Sequence, residues 1–322
     1  MIEPFKPAFG LKNRHLQTLY STFFRKPLSF KFDIERFGLD DGDFIECYWY
    51  NKPNTKDNKP IVILFHGLAG SYKSPYIQGT MKKLAQNGFS SVLMHFRGCS
   101  GEQNSLPRSY HSGDSGDAKA WLSHLKHRFS HAKLFGIGYS LGGNMLLKLL
   151  GELKHSSPLT KAISISAPLQ LDICAYKMDS GFSKFYQRHL LKNLNKSLEQ
   201  KYHHHDMKSF INLDKNEIKN LKTFWKFDDL YTAPIHGFKS AQDYYTKCSS
   251  KQFLKDITTP TLIIHSKDDP FMTTEILPNL SELSSKVKLE LFEHGGHVGF
   301  VGGTIFNPKY WLEDKIISYF KK

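Results

Sequence analysis

Ser140 stands inside Gly138-Tyr139-Ser140-Leu141-Gly142, the G-x-S-x-G spacing that sets a serine on a tight turn between a strand and a helix. Two adjacent acids, Asp268 and Asp269, follow it along the chain, and His297 follows them. Serine, acid and histidine in that order suit acyl transfer through a covalent intermediate. The histidine takes the hydroxyl proton and the carboxylate orients the histidine. The same letters permit a rival reading, because Gly136, Gly138 and Gly142 make G-x-G-x-x-x-G, a loose dinucleotide fingerprint.

The surrounding chain decides between them. A dinucleotide fold carries its glycine turn after the first strand, with an acid about 20 positions on to hold the ribose. Here the turn comes late, and the next strand, "KAISISAP", ends without an acid. An elbow needs small neighbours so that strand and helix can approach. Gly138, Gly142 and Gly143 supply them, while Met145, Leu146, Leu149 and Leu150 give the following helix a face to bury. Upstream, "FHGLAGSYKS" ends an apolar strand with His66-Gly67-Leu68, so the Leu68 and Leu141 N–H groups are the candidate oxyanion donors. Asp268 and Asp269 are adjacent and only one can orient the His297 ring, so both remain open. His297 is favoured over His294 because two glycines let its loop reach the serine.

The elements that must position these residues read as an early hairpin (about 30–38 and 43–50) and then alternating units. Strands are expected at 60–66, 90–96, 132–139, 161–166, 260–266 and 287–294, with helices at 74–87, 115–129, 141–153 and 308–321. Repeated βα units imply an α/β fold with a mostly parallel, doubly wound central sheet flanked by helices. Strand signal vanishes from 169 to 250, which reads as a helical lid inserted into a core of 1–168 and 251–322, with an N-terminal arm over about 1–28. Phe182, Phe185, Tyr186, Leu190, Leu191, Phe224 and Trp225 in that lid are expected either to line an acyl pocket or to pack the lid's own core.

Other residues read as structural. Asp114 and Asp117 are expected to cap the helix at "SGDAKAWL", and "HSGD" is a poor metal motif. His203, His204 and His205 are assigned to a solvated lid surface, and Cys99 to turn packing. Arg14, His15, Gln17 and Arg97 are assigned to packing rather than chemistry. Cys47, Cys99, Cys174 and Cys248 show no C-x-x-C spacing and suit free thiols in a reducing compartment.

In 322 residues, 44 Lys/Arg face 30 Asp/Glu, a formal +14. Eleven Lys/Arg against five Asp/Glu fall within 177–226, and no nucleic-acid-binding signature accompanies them. A basic lid of this kind suits weak peripheral contact with anionic membrane. Neither a secretory leader nor a membrane span is legible, so a cytoplasmic protein is expected.

Five stretches, "NRHLQTLYSTFFRK" (13–26), "HGLAGSYKSPYI" (66–77), "HFRGCSGEQNSLPRSYHSGDSGD" (95–117), "GYSLGGNMLLKLLGE" (138–152) and "GGHVGF" (295–300), together resemble the YheT-like branch of the α/β-hydrolases, AB-hydrolase family 4. The resemblance implies a serine esterase or lipase with the triad on Ser140, an Asp of DDPF, and His297, and it favours Asp269 because related hydrolases place the acid directly before a short Pro/apolar turn. It implies cleavage of acyl or lipid esters without metal or organic cofactor. An acyltransferase using the same acyl-enzyme and an idle binding protein of the same fold are the alternatives.

Overall fold

The computed structural model describes residues 3–322, so the first two residues of the expected arm lie outside the described residues. Strands β1 (Asp33–Gly38) and β2 (Phe44–Tyr50) form the hairpin. They are followed by β3 (Ile61–Phe65), β4 (Ser90–Met94), β5 (Leu134–Tyr139), β6 (Leu159–Ile165), β7 (Thr261–Ser266) and β8 (Val287–Phe292). All eight join one sheet in the order β1-β2-β4-β3-β5-β6-β7-β8. From β4 to β8 neighbours run parallel, while β2 is antiparallel to both β1 and β4. The chain steps outward from β3 to β4 and then returns to β5 on the other side of β3. That reversal opens a crevice beyond the carboxyl ends of β3 and β5, where open α/β sheets carry their sites.

Alternation along each strand divides the core in two. Ile61, Ile63 and Phe65 of β3 face one cluster with Trp121, Leu125 and Leu146, whereas Val62 and Leu64 face the other with Ile77, Leu84 and Phe320. Helices α2 (Pro75–Gln86) and α8 (Trp311–Lys321) cover the second face; α3 (Ser115–Arg128) and α4 (Leu141–Leu153) cover the first. Ten of the thirteen α4 residues are buried, because the 250–256 segment lies over the side of α4 turned away from the sheet.

Between β6 and β7 the chain forms α5 (Leu171–Met178), α6 (Ser183–His204), short helical turns over 224–235, and α7 (Ala241–Cys248). Leu191, Leu198, Ile218, Phe227 and Tyr231 give this segment a small core of its own. Lys201 on α6 is buried against the core loop: its ammonium donates to the Asn104 backbone and side-chain oxygens and to Leu106 O.

Two features differ from the sequence reading. The arm contains a helix, α1 (Arg14–Phe24), capped by Asn13, whose Oδ1 accepts from His15 and Leu16 N–H. The final helix begins at Trp311 rather than 308, because Pro308–Tyr310 (β10) pairs with Val301–Gly303 (β9) in a two-stranded ribbon.

Candidate active site

β5 enters the elbow on Gly136 and Gly138, whose bare faces meet α4. A Cβ on Gly138 would lie 2.3 Å from Gly142 O, and one on Gly142 would lie 2.5 Å from Phe65 O. Strand, helix and the end of β3 therefore touch backbone to backbone. Ser140 takes φ 50° and ψ −119°, a conformation costly for a non-glycine residue, and its N–H donates to Ile165 O at 2.8 Å. The strained turn leaves Oγ at the crevice.

His297 Nε2 lies 2.9 Å from Ser140 Oγ, and His297 Nδ1 lies 2.8 Å from Asp269 Oδ2. With Nδ1–H donating to the carboxylate, Nε2 is free to accept the serine hydroxyl. The other oxygen of Asp269 accepts the Phe271 N–H at 2.9 Å. Asp268 does something different: Oδ1 accepts the Gly296 N–H, and Oδ2 meets His294 Nδ1 at 3.3 Å. One acid holds the imidazole and its neighbour holds the loop that carries it. His294 does not approach Ser140 through any hydrogen bond among the described residues.

The β3 loop closes over the elbow. A Cβ on Gly67 would come within 3.3 Å of Ser140 Cβ. Gly67 N–H donates to Tyr76 OH at 3.0 Å, Ala69 N–H to Tyr110 OH at 2.9 Å, and Gly70 N–H to Gly67 O. Ala69 is held at φ 53°. Leu68 N–H and Leu141 N–H have no hydrogen-bond partner among the described residues and belong to residues lining the same cavity as Ser140. His66 braces this loop from below: Nε2 accepts from Phe96 N–H and Nδ1–H donates to Gly67 O. His95 does the same between Tyr72 N–H and Glu46 O. Burial pushes His66 down to about 4 and His95 down to about 3, so both are neutral bridges.

Several contributors carry no mark in sequence. The Phe271 ring stacks on the His297 imidazole at 3.9 Å between centroids and 11° between planes. Thr18 Oγ1 on α1 accepts the His297 N–H. Buried Asn144, one turn past Ser140, donates to Ser112 O and Cys248 O and accepts from Ser250 N–H.

The cavity has a volume of about 410 Å³. Leu171, Ala175, Met178, Leu190, Leu194 and Phe224 contribute apolar wall from the β6–β7 segment. Of the seven insertion side chains singled out from sequence, only Leu190 and Phe224 line it. Leu191 packs inside the insertion, Trp225 lies against Tyr176 and Tyr245, Tyr186 against Phe271, and Phe182 and Phe185 are exposed. Asp228 also faces the cavity, receiving the Tyr245 and Thr232 hydroxyls; burial pushes its carboxyl up to about 6.

The remaining candidates fall as follows. Asp114 occupies the N-cap position of α3 without a capping bond; its carboxylate meets Arg108 at 3.5 Å. Asp117 takes a two-pronged ion pair from buried Arg97, which also reaches Asp41 and Asp43. Neither acid's side chain caps the helix, because each has a guanidinium partner. Ligand atoms of His111, Asp114 and His236 gather within 4.8 Å, although their sequence spacing suggested no metal site. Cys248 Sγ at 3.7 Å and Gly113 N–H at 3.2 Å take up His111 Nδ1, and Arg108 faces Asp114. His203 to His205 end α6 beside Lys215. Burial pushes the Cys99 thiol up to about 12. Gln17 is buried, bonded to Leu11 O and to both backbone groups of Val301. No described helix is long and apolar enough to cross a membrane.

Residues 60–304 match the family described as the alpha/beta hydrolase fold. The chain is 44% identical to the Escherichia coli (strain K12) protein named "Putative esterase YheT", over 97% of this chain and 91% of that one. It is 30% identical to a monoacylglycerol lipase of Saccharomyces cerevisiae, over 87% of this chain and 64% of that one. Its backbone superposes on the Pyrococcus furiosus esterase Pf2001 with a TM-score of 0.57 at 16% identity, covering 91% of both chains. Elbow, sheet order and relatives agree: the chain belongs to the α/β-hydrolase fold family.

Proposed function

We propose that this protein hydrolyses carboxylic esters through an acyl-enzyme on Ser140. The observation that carries the reading is the unbroken chain from Ser140 Oγ through His297 to Asp269, at 2.9 and 2.8 Å. His297 takes the serine proton as Oγ attacks the ester carbonyl, and Asp269 steadies the resulting imidazolium. The Leu68 and Leu141 N–H groups receive the oxyanion, since nothing else engages them. His297 then returns the proton to the leaving alcohol. Water, activated by the same histidine, repeats the attack and frees the acid.

The cavity supports an apolar acyl group as substrate, and its size falls within the range of roughly 300–1,000 Å³ usual for small-molecule sites. Asp228 in its wall disfavours an anionic chain end once its carboxyl ionises, above about pH 6. In this reading the 169–250 segment is a lid supplying most of the acyl wall. The lipase and esterase names of the relatives support the same class.

A fluorophosphonate probe tests the proposal. Labelling of Ser140 that is absent in Ser140→Ala, together with release of acid and alcohol from simple acyl esters, is expected. Folded wild-type protein that takes no label would overturn it.

A further inference from the structure

Eight of the fourteen large apolar side chains exposed among the described residues gather about one helix. Phe9 is 90% exposed, Phe23 69%, Phe24 70% and Phe306 93%, and Leu16, Ile305, Phe182 and Phe185 are exposed beside them. Leu16, Phe23 and Phe24 recur at i, i+7 and i+8 and so share one stripe of α1. Tyr20 joins that helix to the 304–307 turn, packing on Phe24 and donating its hydroxyl to Ile305 O, and Phe9 bridges to Thr304. At the other end His15 lies against Phe182 and bonds Tyr186 on α6. Solvated aromatics in such number cost free energy unless something covers them.

The charges around them name the cover. Residues 4–32 hold Lys6, Lys12, Arg14, Arg25, Lys26 and Lys31 and no acid; 180–198 holds four bases and no acid; 295–312 holds Lys309 and no acid. These three segments present all eight exposed apolar residues. They also carry eleven of the 44 bases; Arg25 and Lys184 pair with Glu313 and Asp179 at the segments' edges, and counting the flanking acids Glu3, Asp33, Asp179, Glu199 and Glu313 the face keeps a positive excess of six. A second copy of the chain would meet this face with its own like charge. An anionic lipid surface offers the opposite charge together with an apolar interior for the phenylalanines.

We propose that the α1 face, with the 304–307 turn and the start of α6, is a membrane-docking surface for anionic bilayers. It does not depend on the tip of the basic insertion. α1 also supports the site: Thr18 Oγ1 holds the His297 N–H, and Gly296 and Gly299 pack directly on the backbone of Arg14 and Gln17. Docking therefore seats the histidine loop beside the bilayer, which deepens the esterase reading by making bilayer lipid esters the substrate pool.

The test compares wild type, Ser140→Ala and the triple variant Phe9→Ser/Phe23→Ser/Phe306→Ser in co-sedimentation with phosphatidylcholine vesicles, with and without phosphatidylglycerol, at low and high salt. Thermal melts confirm that the variants are folded. Wild type and Ser140→Ala are expected to bind the anionic vesicles equally, more weakly in high salt. The triple variant should bind at least about tenfold more weakly while cleaving a water-soluble ester at the wild-type rate. Fluorophosphonate labelling is scored in parallel, so failure of docking and failure of the serine reading are separate results. Wild type that ignores anionic vesicles at low salt would overturn the proposal, as would a triple variant that binds undiminished. A triple variant that turns a dimer into a monomer without weakening vesicle binding would assign the face to a second copy instead.

Discussion

The Phe271 ring lies flat on the His297 imidazole, 3.9 Å away and 11° from parallel, and lines the cavity. The aromatic plane fixes the one torsion that hydrogen bonds to Asp269 and Ser140 leave soft, rotation of the ring out of their common line. Phe271→Leu keeps an apolar cover but removes the plane. We expect kcat to fall by about fivefold to tenfold, with fluorophosphonate labelling slowed alike. An unchanged labelling rate would show that the stack only fills space.

The two acids separate by variant. Asp269→Asn should lower kcat by roughly 10³- to 10⁴-fold, since the amide cannot fix the Nδ1–H tautomer. Asp268→Asn, which retains an oxygen for the Gly296 N–H, should cost less than about tenfold. Steady-state kinetics on one acyl ester decide, and a reversed order would reassign the acid.

Tyr110 accepts the N–H of Ala69, which is strained at φ 53°. In the proposed mechanism, releasing Ala69 would let the neighbouring Leu68 N–H swing away from the oxyanion. Tyr110→Phe should lower kcat by about tenfold with KM little changed, because the lost interaction belongs to the transition state. A change confined to KM would place Tyr110 in substrate binding alone.

His66 and His95 make stability depend on pH. The folded chain holds both neutral, at about 4 and about 3, whereas the unfolded chain protonates them near 6.5. Their stabilisation is complete above 6.5 and is lost as pH falls from there toward the folded values. Between pH 7 and pH 5 each should cost roughly 2 kcal/mol. Urea midpoints at the two pH values should fall accordingly; a midpoint that rises at pH 5 would contradict the bridging role.

Much of this arrangement is legible in the chain because the elbow makes local demands. Gly138 is required by backbone contact with Gly142 four residues on, Gly142 by contact with the end of β3, and the strands announce themselves as apolar runs. Asp269 and His297 stand out because they follow, by a few residues, strands β7 and β8 whose order the sheet constrains. Helix α1 is harder to read, since its stripe of Leu16, Phe23 and Phe24 faces outward and imitates no core pattern. Tyr110, Phe271 and Thr18 are invisible for another reason: each acts through a partner far away in sequence or through ring geometry. The capping roles expected for Asp114 and Asp117 give way to Arg108 and Arg97, because a charged partner in the interior outcompetes a backbone N–H.

Asn144 has a consequence for exchanging parts between relatives. Its amide clasps the chain at Cys248 O and Ser250 N–H as the insertion returns, one helical turn from Ser140. The insertion is thus hinged at its exit to α4, the helix that follows Ser140. A foreign insertion grafted into this scaffold must end before Cys248 and keep the native return through Ser250, because a junction placed across that clasp would disturb the serine's own helix. Modularity in this enzyme has a fixed socket, and residue 144 is its catch.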